Sequence, residues 1–433
     1  MSLEVTVAGG KLSPHALRAA ILGEVHARPF TALPTPARVL HFAFDTTGER
    51  AQADRAALAK LCESRGLAAP RAADKHFRMS FGGMALRWEQ HSEFTTYTWE
   101  VPGDTAGEAF HPPACELAAP MTFVPQPGPL LAAIDLHLLK DLGVAPERLF
   151  DRASLAVAEN SDSTALYATD FKPDPAGFVR ILVADRGLGE ERAGALVQRL
   201  IELETYRTLA LLGLPEAQRL APSIAHIERQ LAHVTEEMRK ADTLETNHRL
   251  LDELTALASE LEAGAAASLF RFGASRAYNE IVQLRLQTIG ERKVGGLPTW
   301  SSFLARRMAP AMRTCLTTEE RQGTLSRKLA RAANLLRTRV DVAQQQQNQD
   351  LLKSMNARTR LQLRLQATVE GLSVAAISYY VVGLFGYVIK GAHDAGLVRI
   401  EPSYAIAAFA PFAVLAIWFV VRRIRRRHFA GGD

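Results

Sequence analysis

Cysteine is scarce in this 433-residue chain. Cys62, Cys115 and Cys315 are odd in number and far apart, which argues against a disulfide framework and against the paired ligands of a zinc ribbon. A reducing compartment fits that scarcity. A secretory leader is also missing: the first residues alternate polar and apolar positions and hold Lys11, Ser13, Pro14 and His15 in place of an apolar core, so the N-terminus is expected to stay in the cytoplasm. There is no phosphate loop, and Gly187, Gly189 and Gly194 have the wrong spacing for a dinucleotide fingerprint. No serine or cysteine nucleophile arrangement is recognisable, no cofactor is expected, and an enzyme ranks third among the function classes. The net charge of +5 is mild, and nucleic acid is not an expected partner.

What the chain does have is apolar sequence near one end. Leu372 to Ile389 and Tyr404 to Val421 are two runs of eighteen residues without a charge, each about 27 Å long as a helix at ~1.5 Å per residue and able to span a bilayer core. Arg358, Arg360 and Arg364 precede the first run, and Arg422, Arg423, Arg425, Arg426 and Arg427 follow the second, while the only lysine and arginine in the link between the runs are Lys390 and Arg399. The positive-inside rule then puts both termini in the cytoplasm, at a cell inner membrane. The five C-terminal arginines predict contact with anionic lipid headgroups. Gly383 and Gly386 allow another helix to approach the first run, and Pro411 is expected to kink the second.

With 48% hydrophobic and 22% charged residues, the remainder is globular and long enough for two or three packed units. Ser13 and Pro14 read as the start of a short amphipathic helix through Leu17, Ile21 and Leu22, and Glu49 to Arg65 reads as a helix stopped by Gly66. Ala37 to Phe44, Met84 to Gln90, Phe94 to Val101, Ser163 to Thr169 and Phe178 to Ala184 read as strands, the second and third forming a hairpin. After Gly187 leucines recur at three- and four-residue steps, which predicts helices. The fold class is α+β: an α/β cytoplasmic domain over 14–186, a helical domain over 187–316, a stalk helix over 317–371, a transmembrane hairpin over 372–421 and a basic tail over 422–433. Thr317 with Glu320 reads as a capping box opening the stalk, and Arg271 to Arg276, with Gly273, reads as a turn between helices.

Leu325, Leu329, Leu336, Val340, Leu351, Met355, Leu361 and Leu365 form an apolar track along the stalk that calls for partners, and a homo-oligomer is expected. Glu370, Ser373, Tyr380 and Tyr387 are candidate pore-lining residues, the last three seven apart on one helical face. Glu24, His26 and Arg28, just before Pro29, form a candidate anion or metal site whose plainer reading is a clamp on the loop after a helix end. His226 and His233, seven apart and followed by Glu237, read as surface histidines of a charged helix.

The runs Gly23-Glu-Val-His-Ala-Arg-Pro-Phe30, Tyr206-Arg-Thr-Leu-Ala-Leu-Leu-Gly-Leu-Pro215, Arg271-Phe-Gly-Ala-Ser-Arg-Ala-Tyr278 and Thr368-Val-Glu-Gly-Leu-Ser-Val-Ala-Ala-Ile-Ser-Tyr-Tyr380 resemble a bacterial family of membrane-anchored proteins, domain of unknown function 3422. That resemblance implies a membrane anchor. The layout of an α/β domain, a long stalk and two spans resembles CorA-type magnesium channels, which implies a divalent cation as a partner, but Gly383-Leu-Phe-Gly386 stands where those channels carry Gly-Met-Asn. Two functions are therefore expected in order: an oligomeric CorA-like channel or transporter, and a membrane-tethered cytoplasmic adaptor or sensor without transport.

The arginine flanks make the topology testable. Cysteines placed at Ala395 and at Gly431 should label oppositely with an impermeant thiol reagent on intact cells, Ala395 reacting and Gly431 not; labelling at Gly431 alone reverses the topology.

Overall fold

A computed structural model describes residues 5–7, 10–18, 21–22, 30–71, 74–81, 83–102, 109–117, 119–140 and 145–429. Two short strands, β1 (Val5–Val7) and β2 (Gly10–Leu12), pair with each other. Nine more make one mixed sheet: β3 (Ala37–Asp45), β4 (His76–Phe81), β5 (Met84–Gln90), β6 (Phe94–Pro102), β7 (Leu130–Leu139), β8 (Ala156–Glu159), β9 (Ala165–Thr169), β10 (Val179–Asp185) and β11 (Arg292–Lys293), in the order β11-β8-β9-β10-β7-β3-β6-β5-β4. The parallel pair is β7 with β10, bridged by the β8–β9 hairpin, and the other neighbours run antiparallel.

The helices are α1 (Arg50–Ser64), α2 (Glu190–Leu211), α3 (Gly213–Lys240), α4 (Leu244–Ile289), α5 (Trp300–Arg307), α6 (Ala309–Asp394) and α7 (Pro402–Phe429). Side chains alternate across the sheet. One face, with Val39, Ala43, Ile134, Leu136 and Val183, packs on Leu196, Leu200 and Leu203 of α2. The opposite face, with Phe42, Phe44, Trp88 and Trp99, packs on Leu58 and Leu61 of α1. Each large side chain among these, fully buried, contributes about 1.5–3 kcal/mol. After α1 the chain reverses at Gly66, whose φ of 67° suits glycine, while the Leu67 amide donates to the Cys62 carbonyl at 2.9 Å.

The two central strands are covered on both faces, so every polar side chain they carry needs an internal partner. Arg38 on β3 meets Asp135 on β7 through Nε–Oδ1 at 2.8 Å and Nη2–Oδ2 at 2.7 Å, and its Nη1 donates to the Pro112 carbonyl at 2.7 Å. Asp54 on α1 accepts from Tyr97 Oη at 2.6 Å and Trp88 Nε1 at 2.9 Å. His41 on β3 stands between Thr98 Oγ1, 2.8 Å from Nδ1, and Thr205 Oγ1, 3.1 Å from Nε2. Because Thr205 spends its one proton on the Ile201 carbonyl at 2.9 Å, it accepts from Nε2–H, and Nδ1 accepts from Thr98. The imidazole is therefore neutral and satisfied.

Two compact units emerge, 1–237 with 253–332, and 238–252 with 333–433. In the first, Ser223 to Glu260 at 2.7 Å, Ser326 to Glu262 at 2.6 Å and Arg321 to Glu228 at 2.8 Å tie α3, α4 and α6 together. In the second, Arg339 on α6 donates to the Met238 carbonyl at 2.6 Å, and the C-terminal apolar segments of α6 and α7 lie against each other, with Phe385 stacked on Phe409 at 3.9 Å and Gly386 facing Ile406. Both segments are long and apolar enough to cross a membrane. Gly386 thus admits the chain's own second segment, whereas a Cβ on Gly383 would meet nothing within 4 Å.

Two expected boundaries are corrected. The stalk helix begins at Ala309, with Pro310 in its first turn where a missing N–H costs nothing, and the Thr317 and Glu320 pair lies inside it, with the neighbouring Thr318 hydroxyl bonded back to the Thr314 carbonyl at 2.9 Å. Arg271 to Arg276 is a stretch of the 46-residue α4, not a turn, because buried Phe272, Ser275, Tyr278 and Val282 hold the helix in place through Gly273.

Burial first, then the charges of Arg87 and His91, holds His41 down at about 3. The unfolded histidine takes up its proton near pH 6.5 and the folded one does not until about 3, so its contribution is complete above 6.5 and is lost as pH falls through that window. His41→Gln should lose about 2 kcal/mol less stability than wild type between pH 7 and pH 5, measured by denaturant titration; parallel losses refute the assignment.

Candidate functional site

Two of the four sequence runs singled out above meet at the turn between β5 and β6. His91 stacks on Phe94 with centroids 4.0 Å apart, and Phe94 stands edge-on to Tyr206 of α2 at 6.1 Å and to Tyr278 of α4 at 6.2 Å. Tyr206 and Tyr278 stack on each other at 5.6 Å. Beside these rings the buried carboxylate of Glu93 receives Arg271 Nη2 at 2.6 Å, and its backbone carbonyl accepts from the Thr46 amide at 3.1 Å. Burial, then the hydrogen bond and charge of Glu93, pushes the Tyr278 phenol above its ordinary range, so it stays a neutral donor.

A cavity of about 340 Å³ opens at this cluster, lined by Lys75, His91, Ser92, Tyr206, Tyr278 and Ile281 among others. One helical face further round α4 lies a second cavity of about 420 Å³, between Phe272, Arg276, Asn279 and Gln283 of α4 and Leu304 to Glu319 of α5 and α6. Between α3, α4 and α6 the backbones close up at Gly213, where a Cβ would stand 2.6 Å from Ser275 Oγ and 3.1 Å from Cys315 Sγ. The chemistry on offer is recognition: ring faces, a carboxylate neutralised by Arg271, and apolar walls with guanidinium groups at the mouth.

The expected site residues fall in other places. Glu24, His26 and Arg28 lie outside the described residues. His226 is exposed, and His233 Nε2 is 3.6 Å from Glu237 Oε1 on the surface of α3; no group of three or more metal-ligating side chains occurs among the described residues. Ser373, Tyr380 and Tyr387 stand exposed along one face of α6, with the Ser373 hydroxyl bonded to the Val369 carbonyl at 2.9 Å. Glu370 lies on α6, and on α7 the Arg422 guanidinium sits 4.8 Å over the Trp418 ring. Arg423, Arg425, Arg426 and Arg427 belong to the last turns of α7. Sequence reading missed Glu93 and the two tyrosines as partners: Tyr206 and Tyr278 belong to two of the quoted runs, but Glu93 lies outside all four and 178 positions from Arg271.

Comparison with known proteins gives one match: the family described as "Protein of unknown function (DUF3422)" covers residues 13–428. No curated protein and no solved structure matches.

Gly213→Ala should destabilise the first unit by about 1–3 kcal/mol through overpacking. Adding Ser275→Gly should restore part of that loss, because Ser275 supplies the nearest atoms. Additive losses in the double-mutant cycle would place the strain elsewhere.

Proposed function

Because the chain belongs to the DUF3422 family, whose function is unknown, its role has to be read from geometry, and we propose a membrane-tethered, self-associating sensor or adaptor. Its two apolar segments cross a bilayer as a hairpin, with both termini on the cytoplasmic side of a bacterial inner membrane. Their mean hydropathy of 1.9 and 2.3, with only 6% of either stretch buried, supports lipid contact over a place in a soluble core. The basic ends, Arg422, Arg423, Arg425, Arg426 and Arg427 on one strand of the hairpin and Arg358, Arg360 and Arg364 on the other, would rest on anionic headgroups, each adding about 1 kcal/mol.

The observation that carries the proposal is a change in cover along α6. Leu336 and Val340 are 0% and 6% exposed, whereas Leu351, Met355, Leu361 and Leu365 are 60%, 56%, 68% and 69% exposed. At ~100° per residue these four fall within an arc of about 120°, and Val369, Leu372, Tyr380, Gly383 and Tyr387 continue the same stripe. A stripe of this kind, continuous from stalk to membrane, fits identical helices packed in parallel around an axis, since burying each large side chain contributes about 1.5–3 kcal/mol. Arg358 lies in mid-stripe and would set register at some cost in stability.

A channel is the second reading, favoured by one feature: Ser373, Tyr380 and Tyr387 share the exposed stripe with Gly383. A ring of Arg358 side chains at the cytoplasmic entry opposes a divalent cation there, which is why the tether is preferred.

Changing Leu361 and Leu365 together to Glu should disperse the oligomer to monomers in mild detergent, read as mass by light scattering, and leave the sheet signal in circular dichroism intact. A wild-type monomer sinks the proposal. Divalent-cation flux into liposomes carrying the assembled protein would move the assignment to the channel.

A further inference from the structure

The cavity of about 420 Å³ between α4, α5 and α6 has a floor and a mouth of different chemistry. Phe272, Leu304 and Cys315 are buried and, with Met312, form an apolar floor. At the mouth stand Arg276, Asn279, Gln283, Arg313 and Glu319. Arg276 is already held by Glu319, its Nη2 3.0 and 3.1 Å from the two carboxylate oxygens. Arg313 makes no ion pair among the described residues, which leaves the mouth one positive charge in excess. Ala309, the first residue of the 86-residue α6, also lines the cavity.

Size, apolar floor and surplus positive charge agree on one occupant. We propose that this cavity binds a small amphipathic carboxylate, its apolar body against Phe272, Leu304 and Met312 and its carboxylate on Arg313. A neutral apolar molecule would fill the floor and leave Arg313 unused; a small inorganic anion would satisfy Arg313 and leave the floor empty. Asn279 and Gln283 supply amide donors on the α4 side, so the head can accept from more than one direction. The cavity lies within the first unit and its occupancy does not depend on association through the stalk.

The test uses the full chain in lipid nanodiscs, with empty discs as reference, and titrates 4-phenylbutyrate, its neutral amide 4-phenylbutanamide, and acetate by calorimetry. The acid should bind at least tenfold more tightly than the amide, as a charge-assisted contact requires, and acetate should not reach that affinity. Arg313→Gln should erase the preference of acid over amide while the fold is kept. Ala305→Trp, which places a large ring at the cavity wall, should abolish binding of both; because Ala305 is exposed, the variant tests occupancy without burying the new side chain in the core. Equal affinity for acid and amide, binding of acetate as tight as the acid, no binding to the folded wild type, or acid binding indifferent to Ala305→Trp each overturns the proposal.

Discussion

Every apolar side chain on α6 needs a neighbour, and the source of that neighbour changes along the helix. In the first unit Leu325 and Leu329 are buried where α3 and α4 are tied to α6 by Ser326 to Glu262 and Arg321 to Glu228. In the second, Leu336 and Val340 are buried beside the contact of Arg339 with the Met238 carbonyl. Beyond Val340 no intramolecular helix covers the leucines among the described residues, yet α6 continues unbroken to Asp394. An isolated helix in water is held by propensity alone and is marginal. Continuity of this one element is therefore what the proposed self-association and, further on, the proposed membrane span rest on.

The sheet solves the opposite problem. Its central strands have neighbours on both faces, so the difficulty is polar: Arg38, His41 and Asp135 would be costly in such a place unless each hydrogen-bonding group were answered. The Arg38 to Asp135 fork answers two charges at once, and the Thr98, His41, Thr205 chain joins the sheet to α2 through a neutral ring. This join positions α2, and with α2 in place Tyr206 reaches Phe94 at the β5–β6 turn. The aromatic cluster is thus a consequence of how the sheet core is satisfied.

Legibility followed local periodicity. The β5–β6 hairpin was readable because Leu86 and Trp88 alternate with polar residues, as do Tyr97 and Trp99 on the next strand, and these are the side chains buried against α1. The β7 strand was not read, although it is the middle strand of the nine: Ile134, Leu136 and Leu138 alternate with Asp135 and His137, but the Leu-Leu-Ala-Ala run before them is apolar on both faces, and its leucines and alanines favour a helix. Gly273 and the Thr317 and Glu320 pair misled for a related reason, since turn and cap chemistry are local while the packing that overrides them is not. At the candidate site the quoted runs hold Tyr206, Arg271 and Tyr278, but nothing local gave their partners: Glu93 meets Arg271, and Gly213 meets Cys315, only through tertiary structure.

The run from Arg271 to Tyr278 can now be divided by what each side chain touches. Arg271 and Tyr278 hold the Glu93 carboxylate and the ring cluster, and Ser275 faces the close approach of Gly213, so packing and charge neutralisation account for them. Phe272 and Arg276 point to neither; they lie on the adjacent helical face and line the larger cavity. Phe272 is buried and packs as well as forming the cavity floor, while Arg276 is exposed, its Nη2 shared between the two carboxylate oxygens of Glu319. Within one helical segment one face therefore serves the ring cluster and the close approach, and the face next to it lines the cavity proposed for a ligand.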